Sequence, residues 1–405
     1  MCGVLCNSAS DKTRAVLRRL QSSTHIPIIY FQPHFTSAVL HCCCHPKPTS
    51  RLLSSSSSSS SSPPSLPSSS TPALAPGTGP CSRILHPRPA AMASGDTQEG
   101  AGGGELATTD PAITATYPTD PATIPPSAPV GRQKRTLQIF SLEGKAAIVT
   151  GGARGLGFVM AQALIESGAA VAIVDLDGDG AARAASRLRD QFCADHGHAG
   201  DAAPPKITAH RADVADPASV DAAFAEVLAA HGGQVDTLVT SAGLCENFPA
   251  EQYPPDRLQH IMAVNVHGTY HFAAALARHL IACGQRGSMV FIGSMSGSIV
   301  NVPQPQAPYN ASKAAVRHLA RSFAVEWAPH GIRVNVISPG YMLTDLTKRI
   351  LEERPDLGAR WTSLTPAGRM GEPQDLMGAV VFLASDAAAF ITGAELTVDG
   401  GYTAT

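Results

Sequence analysis

Lys145-Ala146-Ala147-Ile148-Val149-Thr150-Gly151-Gly152-Ala153-Arg154-Gly155-Leu156-Gly157 is the stretch that decides the fold. Lys145–Thr150 is a short apolar run and reads as a buried strand. The glycines open a helical pattern that stops at Ser167-Gly168, a helix C-terminal signal. Val171–Val174 is a second apolar strand and leads into Asp175. Such a turn lets backbone N–H groups and a helix N-terminus approach a pyrophosphate. Its spacing is Gly-x-x-x-Gly-x-Gly, a departure from the Gly-x-Gly-x-x-Gly of the dinucleotide fingerprint. Thr150, Gly151, Arg154, Gly155, Leu156 and Gly157 are candidate cofactor contacts. Asp175 is placed to accept hydrogen bonds from ribose hydroxyls, and its charge would repel a 2′-phosphate. NAD is therefore expected. Arg154 argues the other way, because an arginine in this turn could bind that phosphate, and NADP stays as the alternative.

The same alternation continues along the chain. A helix near Gly180–Phe192 precedes a third strand, Ile207–Ala209, and then Asp213 and Val214. Asp216-Pro217 reads as an N-cap with Pro in the first helical position, and its helix runs to about His231. Val235–Val239 is the fourth strand and leads into Thr240-Ser241-Ala242-Gly243. One long helix is expected over Asp256–Ala282, carrying Asn265. Met289–Ile292 is the fifth strand and delivers Ser294. A helix carrying Lys313 runs to about Trp327. Ile332–Ile337 is the sixth strand, before Ser338-Pro339-Gly340, and a helix over Pro373–Ala384 precedes the last strand, Glu395–Val398. Strands that read as continuous apolar runs between helices form a parallel sheet covered on both faces. The expected fold is α/β: a Rossmann-type, doubly wound, seven-stranded parallel sheet in one domain. Ligands of such sheets sit outside the carboxyl ends of the strands. Thr150, Asp175, Asp213, Gly243, Ser294 and Pro339 all fall on that edge.

Tyr309 and Lys313 are four apart on a helix and so share one face. An ammonium beside a phenol favours the phenolate and lowers a pKa that is ordinarily about 10. Ser294, just upstream, could hold the oxygen of a carbonyl or alcohol against that phenol. Tyr309 thus becomes a candidate proton-transfer group.

The chain has 405 residues and a formal net charge of −2. Composition divides it into a low-complexity N-terminal extension over residues 1–139 and a folded domain over 140–405. The latter, about 265 residues, is long enough for a substantial core. No basic block in the domain asks for nucleic acid or an anionic membrane. Of nine cysteines, six precede Met92. Cys193, Cys245 and Cys283 are scattered and read as reduced thiols. Cys42-Cys43-Cys44 lack the spacing of a zinc knuckle, so no metal is expected. Arg14, Arg18, Arg19 and Arg51 with a single acid, Asp11, match a mitochondrial transit peptide. The run Ser54–Ser62 reads as disordered. A start at Met92 would place the protein in the cytoplasm, which is the expected compartment; mitochondrion is the alternative.

Thr150-Gly-x-x-x-Gly-x-Gly157, Ser294, Tyr309-x-x-x-Lys313, Pro339-Gly340 and Val398-Asp399-Gly400-Gly401 together resemble the short-chain dehydrogenase/reductases over about Leu142–Tyr402. The resemblance implies Tyr309 as general acid/base and Lys313 as the residue that lowers its pKa and holds the nicotinamide ribose. It implies Ser294 as the substrate-binding serine and Asn265 as part of a proton relay. Asp213 and Val214 resemble adenine contacts. Ala242, Gly243, Pro339, Gly340 and Thr344 resemble further cofactor contacts. Two departures stand out. Thr240-Ser241 replaces a pair of asparagines, and the serine-to-tyrosine interval is about two residues long. Ser296 would restore that interval, but Ser294 fits the local pattern. Met295–Gln306 and Ser338–Thr344 resemble fungal polyol dehydrogenases and ketose reductases, and Asp175 leans towards the NAD-dependent D-arabinitol 2-dehydrogenase type. The implied reaction is reversible oxidation of a sugar alcohol to a ketose, such as D-arabinitol to D-ribulose. An NADPH-dependent ketone reductase and a catalytically silent NAD-binding protein are the alternatives. The amides of Asn301, Gln304 and Gln306 suit a polyhydroxylated substrate. A homo-oligomer, dimer or tetramer, is implied.

Overall fold

The computed structural model describes residues 135–196 and 206–405. The transit segment, the serine run, the Met92 start and the Cys42–Cys44 cluster lie outside the described residues. Among the described residues there are seven strands: β1 (Ala146–Thr150), β2 (Ala170–Asp175), β3 (Ile207–Arg211), β4 (Thr237–Thr240), β5 (Gly287–Ile292), β6 (Ile332–Pro339) and β7 (Glu395–Val398). They form one sheet in the order β3-β2-β1-β4-β5-β6-β7, with every pair parallel. The order reverses between β1 and β4, and a crevice for a ligand opens at that point.

The helices are α1 (Gly155–Glu166), α2 (Gly178–His196), α3 (Pro217–Ala230), α4 (Pro255–Met262), α5 (Gly268–Cys283), α6 (Ala307–Trp327), α7 (Asp345–Glu353), α8 (Pro355–Ser363) and α9 (Met377–Ala384). Strand side chains alternate between two faces. Val149, Ile173 and Val290 meet α1, α2 and α9 in one apolar layer. Ile148, Leu238, Met289 and Phe291 meet α3, α5 and α6 in the other. This two-sided burial explains why the strands read as unbroken apolar runs.

The long helix expected over Asp256–Ala282 is instead broken by a π-helical turn at Ala263–His267. Gly268 N–H reaches back five residues to Ala263 O. A Cβ on Gly268 would lie 2.6 Å from Val214 Cγ2, so this glycine lets the helix press against the loop after β3. Helices α7 and α8 had no counterpart in the sequence reading. Each is nine residues long, and Pro355 opens the second.

Along the β3 edge, His231 Nε2 bonds Thr208 Oγ1 at 2.9 Å, and His210 Nε2 bonds the same hydroxyl at 2.9 Å. Burial, then Lys206 and His210, push His231 down to about 4. The unfolded imidazole takes a proton near pH ~6.5, whereas the folded one resists it. Stability contributed by the neutral ring is complete above that value and is lost as pH falls towards 4. In urea unfolding, the midpoint should drop more between pH 7 and pH 5 for the wild type than for His231→Gln. Equal drops would contradict this assignment.

Candidate active site

The cofactor side is built at the ends of β1, β2 and β4. Thr150 Oγ1 accepts from Ala242 N at 3.3 Å, and Ser241 N donates to Thr150 O at 3.2 Å, which ties the β1 turn to the β4 turn. Gly151, at φ 64°, passes so close that a Cβ would lie 2.7 Å from the Ala242 backbone. Gly155 is different. Its φ is 60°, and a Cβ there would meet nothing within 4 Å. No side chain caps the start of α1. Its first N–H groups therefore face open space beside a glycine, which is the form of an anion cradle. The residues fit a dinucleotide pyrophosphate.

Asp175 Oδ2 accepts from Ala153 N and Oδ1 from Asp177 N, each at 3.1 Å. Each oxygen keeps capacity for another donor. A cavity of about 340 Å³ opens beside it, lined by Arg154, Phe158, Asp177, Arg183 and Arg187 among others. Arg183 pairs with Asp177 at 3.4 Å, and the Arg187 guanidinium sits 4.8 Å from the Phe158 ring centroid. The sequence reading had only Arg154 here. The four-residue spacing of Arg183 and Arg187, just after Asp175, was the available signal. Asp213 Oδ1 accepts from Ala215 N at 2.9 Å, and Val214 is buried under Gly268. Both stand at the β3 end of the crevice.

Serine, tyrosine and lysine meet on the other side of the switch point. β5 delivers Ser294 in an extended conformation, and its Oγ accepts from Ser296 N at 3.1 Å. Tyr309 lies in the first turn of α6, close enough to Ser294 for that side chain to favour its ionised form. Arg317 locks this arrangement. Its Nη1 donates to Gly297 O at 2.8 Å, while its Nε pairs with Glu395 of β7 at 2.9 Å. Lys313, one turn beyond Tyr309, donates to Ile292 O at 2.8 Å and lies 5.8 Å from the Tyr309 ring centroid.

The electrostatics differ from the expectation that Lys313 lowers the Tyr309 pKa. Burial is the largest influence on both groups. It raises Tyr309, opposed by the Ser294 hydrogen bond, and it lowers Lys313 to about 8. Cys245 interacts electrostatically with both, and its Sγ lies 3.8 Å from Gln306 Oε1. Lost hydration pushes this thiol up to about 11, opposed by Lys313. The sequence reading had left Cys245 among scattered thiols. Nothing in its local pattern marks it as a neighbour of residues more than sixty positions away.

Asn265 is buried at the π-helical turn. Its Oδ1 accepts from Leu244 N at 2.9 Å, and its Nδ2 donates to Leu244 O at 3.0 Å and Ser312 Oγ at 2.9 Å. One amide hydrogen thus holds the loop after β4 and the other the first turns of α6. These bonds tie the loop that follows Thr240-Ser241 to α6. The Thr240 hydroxyl is buried without a hydrogen-bond partner. Gly243 runs directly over the site: a Cβ there would lie 3.2 Å from Asn265 Oδ1 and 3.6 Å from Lys313 Nζ.

Ser296 is not the open hydroxyl. It donates to Asn301 Oδ1 at 2.5 Å and accepts from Gln306 Nε2 at 3.3 Å. Asn301 and Gln306 are themselves buried. Gln306 Nε2 also reaches Asn301 Oδ1 at 3.1 Å and Asn310 Oδ1 at 2.9 Å. These amides brace one another rather than stand free over the site, contrary to the sequence reading. Thr344 also departs from expectation: its hydroxyl caps α7 in a reciprocal pair with Thr347. Pro339 ends β6, and Gly340 is pressed against Asp399, where a Cβ would come within 2.7 Å.

Residues 151–403 match the family model described as enoyl-(acyl carrier protein) reductase. The chain is 42% identical over 268 residues to a D-arabinitol 2-dehydrogenase (ribulose-forming) of Scheffersomyces stipitis, covering 65% of this chain and 95% of that protein. It is 40% identical over 270 residues to an NADH-dependent L-xylulose reductase of Ambrosiozyma monospora, covering 65% and 97%. Among solved structures, a gluconate 5-dehydrogenase of Burkholderia cenocepacia, in complex with NADP and tartrate, superposes with a TM-score of 0.60 at 37% identity. That match covers 67% of this chain and 100% of the other.

Proposed function

The chain belongs to the short-chain dehydrogenase/reductase family, and from that premise we propose that it reversibly oxidises a secondary alcohol of a sugar alcohol to a ketose. The observation that carries this reading is the gathering of Ser294, Tyr309 and Lys313, whose ammonium lies 5.8 Å from the phenol ring, on the same strand-end edge as an uncapped glycine turn. The names of the similar proteins supply the substrate class. A nicotinamide dinucleotide held at this edge would supply the hydride chemistry. Tyr309 Oη takes the hydroxyl proton in oxidation and gives it back in reduction. Ser294 Oγ holds the same oxygen. Lys313 supplies positive charge beneath the crevice and a donor for a ribose hydroxyl. Asn265 acts as a positioning residue that fixes the Leu244 loop and, through Ser312, the first turns of α6. The α1 turn would hold the pyrophosphate, and Asp175 the adenosine ribose. Asp213 and Val214 fit the adenine side; Ala242, Gly243, Pro339 and Gly340 fit the nicotinamide side through their main chain, and Thr344 through its backbone.

Asp175 favours NAD, whereas Arg154, Arg183 and Arg187 favour a 2′-phosphate, so NADP remains a second coenzyme. A panel of polyols and ketoses, run against steroid and acyl ketones with NAD(H) and NADP(H) in parallel, tests both points. The expected result is turnover of polyols with a preference of about tenfold for NAD, one hydrogen-bonded charge in size. Asp175→Ala should reverse that preference. Turnover confined to apolar ketones would contradict the substrate reading, and a clear NADPH preference in the wild type would contradict the coenzyme reading.

Among the described residues no helix is long and apolar enough to cross a membrane. Tyr270 on α5 and Val325 on α6 are large apolar groups left exposed, which supports self-association through these helices. The cytoplasm is the proposed compartment, in keeping with the thiol state of Cys193 and Cys245.

A further inference from the structure

Tyr341 stands outside the mechanism above, yet it joins three distant pieces of chain. Its hydroxyl accepts from Asn301 Nδ2 at 3.0 Å and from Gln304 Nε2 at 3.1 Å, and it donates to Gln304 Oε1 at 3.3 Å. Its ring stacks on Trp361 of α8, with centroids 4.3 Å apart and planes at 9°, and meets Tyr402 edge-on at 5.4 Å. The backbone beneath is fixed as well, since Gly371 N donates to Tyr341 O at 2.9 Å. The C-terminal turn is equally anchored. Asp399 accepts from Gly401 N, Thr403 N and Thr403 Oγ1 at 2.9, 2.8 and 2.7 Å, and Ala367 N donates to Gly400 O at 3.0 Å.

A continuous path results. Ser294 Oγ, beside Tyr309, accepts from Ser296 N. Ser296 Oγ bonds Asn301, and Asn301 bonds Tyr341. The loop that follows Ser294 is therefore held at its outer end by one phenol, which is itself clamped between α8 and the C-terminal turn. Side-chain networks of this kind are rigid when every member has a partner and loosen when one is removed.

We propose that Tyr341 is a positioning residue that sets which polyol is accepted, by fixing the Asn301–Gln306 loop against α8 and the C-terminal turn. The proposal rests on the polyol reading above. Removing the hydroxyl would leave Asn301 Nδ2 and Gln304 Nε2 without their common acceptor while keeping the stack on Trp361. Substrate discrimination that depends on placed polar groups is sensitive to such a loss.

The test is Tyr341→Phe in the full chain, with kcat and KM measured on pentitols and hexitols of differing configuration, KM for NAD, and the thermal midpoint. The KM of the best polyol should rise about tenfold, and discrimination between stereoisomers should shrink about fivefold. The kcat should stay within about threefold and KM for NAD within about twofold. An unchanged polyol KM and stereoisomer ranking in Tyr341→Phe overturns the proposal, and so does a lowered thermal midpoint with unchanged discrimination. A wild type that oxidises no polyol would instead remove the substrate reading, and this proposal with it.

Discussion

Tyr309→Phe should lose about 10²–10⁴ in turnover, the usual contribution of a positioned proton-transfer group. That corresponds to about 3–5 kcal/mol of transition-state stabilisation. The substitution keeps the ring in the first turn of α6 and removes only the phenolic oxygen beside Ser294. Binding of NADH should change by no more than about threefold, because the pyrophosphate and ribose contacts lie at the ends of β1 and β2. Steady-state rates with polyol and a fluorescence titration with NADH separate the two effects. Rates within a few-fold of wild type would remove Tyr309 from the mechanism. Oxidation should also speed up as pH rises, since burial holds the phenol above its ordinary range in the protein without coenzyme. The gain should weaken once Lys313, lowered to about 8, begins to lose its charge.

Gly157→Ala should be the most damaging substitution on the cofactor side. A Cβ there would lie 2.2 Å from Gly151 O and 2.9 Å from Gly151 C. These are backbone atoms and cannot rotate away, so the turn must open. Overpacking of this sort costs about 1–3 kcal/mol in stability. The displaced N–H groups should raise the Kd for NADH by about a hundredfold, the scale of losing two charge-assisted hydrogen bonds. Gly155→Ala is the companion variant. Its methyl would touch nothing within 4 Å, but its φ of 60° is strained for alanine. It should melt within a few degrees of wild type and still bind NADH poorly, because the methyl occupies the open space before α1. Thermal melts and NADH titrations of both variants check this. Normal NADH binding by Gly157→Ala would refute the cradle.

Much of this site could be seen from sequence because it depends on local pattern. Apolar runs fixed the strands, and a parallel sheet sends every strand's carboxyl end to the same edge. Thr150, Asp175, Asp213, Ser294 and Pro339 had to converge for that reason alone. Tyr309 and Lys313 follow from helical spacing. The missed features share a different origin. The π-helical turn that aims Asn265 at Leu244 depends on contacts made across the fold, and no residue type announces it. The amides of Asn301 and Gln306 were visible, but their mutual bonding was not. Tyr341 meets Asn301 across 40 positions, and Cys245 meets Gln306 across 61. Separations of that size leave no periodic trace. Helices α7 and α8 escaped because each is short, and α8 is held by the stack of Trp361 on Tyr341.

The central claim is that a nicotinamide and a polyol carbinol meet over Tyr309. The most direct measurement is the fate of deuterium carried on the carbinol carbon of a polyol. Mass spectrometry of the reduced coenzyme should find one deuterium per NADH formed by the wild type, with the yield collapsing in Tyr309→Phe. Reduced coenzyme without deuterium, or equal labelled yield from the variant, would contradict the account.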